Sequence, residues 1–237
     1  MYNENSVAVE KESKAGKIGK KIVRIIFYLF FAALILIIII RSSMMKPTAK
    51  MKRFLWNENS IEAYNTYGDE LKVYTLFEYN SSTSENIFTI SDIRYIENIS
   101  QFQFTLRWNN NTVANLMALD GIEAPNDGSE PFLFAIGDNN GKVYTDYEYT
   151  SDSRYNYSFR RIVFDGIDLK DVQSLSVLAY TTYEKDEITK NDACSQIPLY
   201  VYSDNYAKYR IKSSEMFKNN SRTADLTKVS YSFSDKK

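Results

Sequence analysis

An all-β sandwich held to a membrane by one N-terminal helix is the architecture this sequence predicts. Three observations carry that reading. The run Ile25–Ile40, IIFYLFFAALILIIII, is apolar throughout and uncharged. From about Lys72 onward, short segments alternate apolar and polar residues with period two, the pattern of a half-buried strand. Aromatic residues make up 15% of the chain, with 19 Tyr and 14 Phe, and both favour pleated, half-covered surfaces.

The membrane segment is placed at residues 22–41. Ile22 to Ile40 at about 1.5 Å per residue spans roughly 28 Å, close to the ~30 Å hydrocarbon core. Arg24 lies in the first turn, where a long cationic side chain snorkels to the headgroups, and Arg41 ends the run. A cleaved signal peptide would need a shorter apolar core and small residues at the cleavage site, but RSSMMKPTAKMKR follows. A lipoprotein would need a cysteine there. An uncleaved signal-anchor is therefore expected. Lys14, Lys17, Lys20, Lys21 and Arg24 precede the run, against Arg41, Lys46 and Lys50 after it. This small bias puts the N-terminus in the cytoplasm and the rest of the chain outside. Lys20, Lys21, Arg24 and Arg41 are the expected anchor flanks, and the lipid bilayer is the expected partner.

The net charge of −1 conceals an asymmetry. Residues 1–53 hold 11 Lys and Arg against 3 Asp and Glu, whereas residues 54–237 hold 18 against 27. A basic segment beside a membrane helix suits anionic headgroups. An acidic remainder argues against nucleic acid, whose phosphates need a cationic surface. The chain has no His and a single cysteine, Cys194. That removes His-dependent nucleophile systems, His-ligated zinc, an intrachain disulfide and Cys-based metal sites.

Beyond the anchor, residues 1–21 read as a disordered basic tail and residues 42–71 as a juxtamembrane connector. In the connector Met51, Phe54, Leu55, Ile61 and Tyr64 fit one helix face, which Asn57–Ser60 interrupts. Trp56 suits either the membrane interface or the domain. Residues 72–213 form the sandwich domain, and 214–237 a polar tail in which Val229, Tyr231 and Phe233 alternate as a last edge strand would. Val73–Glu78 opens the domain. Gln101–Trp108 is the clearest strand, with Phe102, Phe104, Leu106 and Trp108 on one face and Gln103, Thr105 and Arg107 on the other. Phe132–Ile136 and Lys142–Tyr149 flank Asp138-Asn139-Asn140-Gly141, a hairpin signal because Asn and Gly tolerate positive φ. Tyr155–Phe164, Ser174–Glu184, Pro198–Tyr202 and Ala207–Lys212 complete the strands. Turns are expected at Asp120-Gly121, Asn126-Asp127-Gly128 and Asp165-Gly166, and helical turns at Leu116–Leu119 and Lys170–Val172. Eight or nine short strands at regular spacing point to a sandwich.

The stretch PFLFAIGDNNGKVYTDYEY, with SRYNYSFRRIVFDGIDLKDVQSLSVLAYTTYE after it, resembles the β-sandwich domains of uncharacterised single-pass membrane proteins of Gram-positive bacteria. The resemblance implies an immunoglobulin-like fold outside the membrane. It implies no catalytic residue and no ligand.

Candidate chemistry is sparse. Asp138-x-Asn140-Gly141 opens like a calcium loop, but the twelfth position is Tyr149 where such a loop needs Glu, so a plain turn is favoured. Asp165, Asp168 and Asp171 form a second acidic group with an ordinary turn reading. Asp146 and Glu148, two apart on an expected strand, are the kind of pair a glycosidase uses and equally the kind a solvated strand carries. Five sequons, at Asn80, Asn98, Asn110, Asn156 and Asn219, are close to chance. The tyrosines Tyr144, Tyr147, Tyr149, Tyr155 and Tyr157 form the candidate partner surface, since exposed Tyr gives rigid amphipathic contact area. Tyr180, Tyr183, Tyr200, Tyr202, Tyr206 and Tyr209 continue the theme, with half-buried strand positions as the competing reading. The expected function is a non-catalytic, membrane-tethered domain that binds a protein or a cell-envelope component, with no cofactor. The alternative is a carbohydrate-binding or glycan-processing surface domain.

Overall fold

The computed structural model describes residues 14–76, 87–119, 121, 130–170, 172–182, 188–201, 207–211 and 225–234. The expected turn residues Asp120 and Asn126-Asp127-Gly128, together with Asp171, Tyr183, Tyr202 and Tyr206, lie outside the described residues. The chain divides into two units, residues 1–46 and 47–237.

Among its described residues, the first unit holds one helix, α1 (Lys14–Met44). Within it Ile18–Met44 has no buried residue, and its most apolar stretch of 18 residues has a mean hydropathy of 3.0, so it is long and apolar enough to cross a membrane. At 1.5 Å per residue those 27 residues reach about 40 Å, beyond the ~30 Å hydrocarbon thickness. The helix is longer at both ends than residues 22–41: it takes in residues 14–21 before the apolar run and residues 42–44 after it. Lys20, Lys21 and Arg24 thus sit on helical turns, as does Arg41 in the last turn. The basic tail expected over residues 1–21 is helical from Lys14.

The second unit begins at Pro47, so much of the segment expected as a connector belongs to the domain. A short helix, α2 (Ala49–Lys52), leads into extended chain as far as Asn57. Residues 47–57 form a strap in which Met51, Phe54, Leu55 and Trp56 are all buried. Trp56 therefore packs on the domain. The helix α3 (Glu58–Tyr67) follows, and Asn57, which interrupts the sequence pattern, is its N-cap: Oδ1 accepts the Ser60 N–H at 3.0 Å.

Two antiparallel sheets follow. The larger holds β1 (Val73–Leu76), β2 (Phe88–Ile96), β3 (Gln101–Asn109), β6 (Tyr147–Arg154), β7 (Tyr157–Phe164), β10 (Ala207–Ile211) and β11 (Thr227–Val229), in the order β10-β1-β2-β3-β7-β6-β11. The smaller holds β4 (Phe132–Asp138), β5 (Val143–Tyr144), β8 (Ser174–Thr181) and β9 (Ser195–Val201), in the order β5-β4-β8-β9. One apolar core joins them. It contains the alternating set Phe102, Phe104, Leu106 and Trp108 from β3, Phe132, Phe134 and Ile136 from β4, and Val177 and Ala179 from β8. Phe132 sits 4.8 Å from Phe88 and 5.6 Å from Trp108, edge on, the favoured aromatic geometry. The helix α4 (Asn110–Leu119) caps β3 and sends Val113 and Met117 into the same core.

Three local departures from the expected strands have physical causes. Lys142–Tyr149 is not one strand: β5 ends at Tyr144 and β6 starts at Tyr147, and between them the chain passes from one sheet to the other. The strand expected at Tyr155 starts at Tyr157, because Tyr155-Asn156 is the two-residue turn joining β6 to β7. β2, which the alternation does not reveal, carries a bulge between Ser91 and Arg94 with Asp92 at φ 52°. The extra residue breaks the period of two. Of the last edge strand expected over Val229, Tyr231 and Phe233, β11 reaches only Val229, paired with β6, and Tyr231 and Phe233 lie beyond it.

Candidate functional site

The tyrosines of the expected partner surface do not form one surface. Tyr147 is buried in the main core, while Tyr144 and Tyr149 are half-buried against it. Tyr155 is 68% exposed at the β6–β7 turn and Tyr157 is half-buried at the start of β7. Burial pushes the Tyr147 phenol well above its ordinary pKa. Trp108 is also buried, so neither ring is offered to a ligand.

Tyr149 belongs to an internal clamp. The Arg160 guanidinium lies 4.9 Å from the Trp108 ring centre and 5.9 Å from that of Tyr149. Its Nε and Nη2 both donate to the Glu130 carboxylate, and Tyr149 Oη meets Glu130 Oε1 at 3.3 Å. Beside the clamp a cavity of about 40 Å³ is lined mostly by Phe132, Phe134, Tyr147, Ile162 and Val229. That volume suits a few water molecules at most.

A second set of buried polar groups lies on the outer face of the larger sheet. Gln101, Gln103 and Thr105 alternate with the core residues of β3, so they point away from the core, yet all are fully buried beneath the strap. Gln103 holds both peptide groups of Leu55, and Thr105 Oγ1 donates to the Met51 carbonyl at 3.0 Å. Gln101 Nε2 donates to Asn57 Oδ1 at 3.1 Å and to Asp165 Oδ1 at 2.6 Å. Arg161, wholly buried, donates from Nη1 to the Asp92 carbonyl at 2.7 Å and to Thr105 at 3.2 Å. The left-handed bulge at Asp92 turns that carbonyl inward. Burial lowers the Arg161 pKa, but a guanidinium stays protonated there.

A groove of about 400 Å³ lies between α3 and the Asp165-Gly166 turn. Asn59, Glu62, Thr66 and Tyr67 line one side and Ile99, Asp165 and Gly166 the other. Asp165 Oδ2 accepts from the amides of Asn57 and Asn59 at 3.2 and 2.9 Å. The groove can accept a hydroxylated, polar ligand. Sequence patterns missed it because α3, Ile99 and the Asp165-Gly166 turn are far apart in the chain.

The remaining acidic candidates are engaged within the fold. Asp138 Oδ1 accepts the N–H groups of Asn140 and Lys142, both at 2.8 Å, which makes the expected hairpin turn. Asp146 accepts from Ser230 at 2.6 Å and Glu148 pairs with Lys228 at 3.3 Å, so both carboxylates face the β11 segment. Asp168 caps the N–H of Lys170 at 3.0 Å. Among the described residues no group of three His, Cys, Asp or Glu is placed to hold a metal ion. Cys194 is exposed at the residue level, its Sγ lies 3.2 Å from the Ala179 carbonyl, and partial desolvation of the thiol raises its pKa, which lowers its reactivity at neutral pH. Comparison of the chain with protein-family models, curated proteins and solved structures found no match.

Proposed function

We propose that this chain is a single-pass membrane protein that presents a non-catalytic, immunoglobulin-like domain outside the cytoplasm for binding a protein partner or a cell-envelope component. The observation that carries this reading is the joining of an apolar helix, able to span a bilayer, to a two-sheet β domain in one short chain. The strand order supports the immunoglobulin-like assignment. β2-β3-β7-β6 over β5-β4-β8-β9 has the A-B-E-D over C′-C-F-G order, with β1 and β10 added beyond one edge and β11 beyond the other. The cations before the apolar run, including Lys20, Lys21 and Arg24, support an N-terminus inside the cytoplasm.

Proteinase treatment of intact cells tests the topology. Digestion of the region 47–237, with a cytoplasmic control left whole, is expected; protection of that region overturns the orientation. Cross-linking from an exposed domain position followed by mass spectrometry then identifies the partner.

A second reading, a glycan-binding domain, is favoured by the α3 groove, whose amide, hydroxyl and carboxylate groups beside the Tyr67 ring match the needs of a sugar. Binding of envelope glycans that is lost in Asn59→Ala and Tyr67→Ala would select it over a protein partner.

A further inference from the structure

We propose that the strap-covered face of the larger sheet is a lipid-contact surface, which lays the β6–β7 hairpin against anionic headgroups of the bilayer. The proposal rests on the reading of α1 as a membrane anchor. Three observations meet at this face. The first is charge. Residues 54–237 carry 18 cations against 27 anions, yet the strap exposes Lys50, Lys52 and Arg53 in succession. Arg107 and Arg154 stand at the nearby strand ends, on the rows that β3, β7 and β6 share. Asp152 and Asp92 lie on the same side of the sheet, and Asp152 is occupied by the Thr48 hydroxyl at 2.5 Å; Glu148 and Glu58, at the β11 edge, are paired with Lys228, and Asp165 is held by Gln101 and Asn57. A short basic cluster of this kind binds an anionic lipid surface, and the attraction fades within a Debye length.

The second observation is aromatic. Tyr155, at the hairpin tip, is the most exposed tyrosine of the expected cluster. Arg154 lies 5.9 Å from its ring centre, and Arg107 lies 5.5 Å from that of Tyr157. A ring with a polar tip beside a cation is the chemistry of a membrane interface.

The third is the chain itself. Only Met45 and Lys46 separate the last helical residue from Pro47, a contour of about 11 Å for three steps. Thr48 then binds Asp152, and Lys50 Nζ donates to the Ser151 carbonyl at 3.0 Å. The half of the hairpin next to its turn is therefore tied to residues that follow the anchor almost directly.

The test uses the full chain in vesicles of phosphatidylcholine alone or with phosphatidylglycerol. In a Cys194→Ser background, a fluorophore is attached at Tyr155→Cys or, as a control, at Asn140→Cys in the turn between β4 and β5. Quenching is read from headgroup nitroxide lipids. The expected result is quenching at position 155 that is stronger with phosphatidylglycerol, falls at high salt, and is lost in Lys50→Gln/Lys52→Gln/Arg53→Gln. Equal quenching at 155 and 140, or quenching indifferent to lipid charge and to the triple substitution, overturns the proposal; in the second case an acidic protein partner becomes the better use of the cations. Alkaline carbonate extraction of the same vesicles separates the two readings. A protein that is extracted refutes the anchor, whereas one that is retained without quenching refutes the lipid contact alone.

Discussion

Gln103 binds Leu55 through both of its amide atoms: Oε1 accepts the Leu55 N–H at 3.0 Å and Nε2 donates to the Leu55 carbonyl at 2.8 Å. A glutamine side chain thereby stands in for a neighbouring strand, because the strap crosses the sheet instead of pairing along its edge. The site is buried, so no bulk water can replace either bond. Gln103→Leu keeps the volume and takes away the partner of the Leu55 N–H, of the Leu55 carbonyl and of Gln101 Oε1. It is expected to cost about 3 kcal/mol or more, since each orphaned group costs roughly 1–3. Denaturant titration in detergent, followed by tryptophan fluorescence, measures it. A loss under about 0.5 kcal/mol, the range of ordinary surface substitutions, would show that the ladder does not hold the strap.

The same contact sets where the folding unit begins. Met51, Phe54, Leu55 and Trp56 are each 4% exposed or less. Burial of four such side chains stabilises by about 6–12 kcal/mol, comparable to the whole net stability of a domain. A fragment of residues 47–237 is therefore expected to fold, and one of residues 72–237 to lose cooperative unfolding. Circular dichroism melts of the two fragments decide the matter, and equal melting temperatures would refute it.

Residue 72 looked like the start of the domain because period-two alternation starts there. The strap has no such period: its apolar residues are consecutive, Phe54-Leu55-Trp56, and they are buried by their position over a sheet and by no periodicity of their own. β3 was legible because its two faces differ in chemistry. Its outward residues, however, are polar and buried, a combination that alternation reads as solvent-facing. β2 was hidden by the bulge at Asp92, and the β6–β7 turn by a tyrosine at a position where Gly or Asn is the usual signal. Of the candidate surface, Tyr147 and Tyr149 were drawn inward by the core and by the Arg160–Glu130 clamp. Composition records that tyrosines are present without recording which way they face.

Three of the inward tyrosines predict an alkaline limit to stability. Burial pushes the phenols of Tyr147 and Tyr231 well above the ordinary value of about 10, and that of Tyr180 up to about 12. Below pH 10 both folded and unfolded chains keep these protons, and the stabilisation is complete. Above it the unfolded chain ionises first and binds fewer protons, so stability falls by up to about 1.4 kcal/mol per pH unit for each phenol. The loss is expected to run from about pH 10 through 12, and phenolate absorbance should show a late-titrating class that appears together with unfolding. Tyr231→Phe is expected to flatten the slope, even as it removes the hydrogen bond to the Phe134 carbonyl. An unchanged slope would place the alkaline transition elsewhere.

Tyr155 occupies the left-handed region at φ 54°, where the Cβ of a bulky residue costs about 1–2 kcal/mol. Its exposed ring gives little packing in return within the domain. Asn tolerates that backbone through its own local hydrogen bonds and, unlike Gly, adds little entropy to the unfolded chain. Tyr155→Asn is therefore expected to raise the stability of the domain by about 0.5–1 kcal/mol, read as a higher denaturation midpoint at unchanged slope. A stabilised variant that also associates less with anionic vesicles would mean that the strained tyrosine serves the surface at the expense of the fold. A destabilised variant would mean that the ring is held by contacts inside the domain, and that the backbone strain there is offset locally.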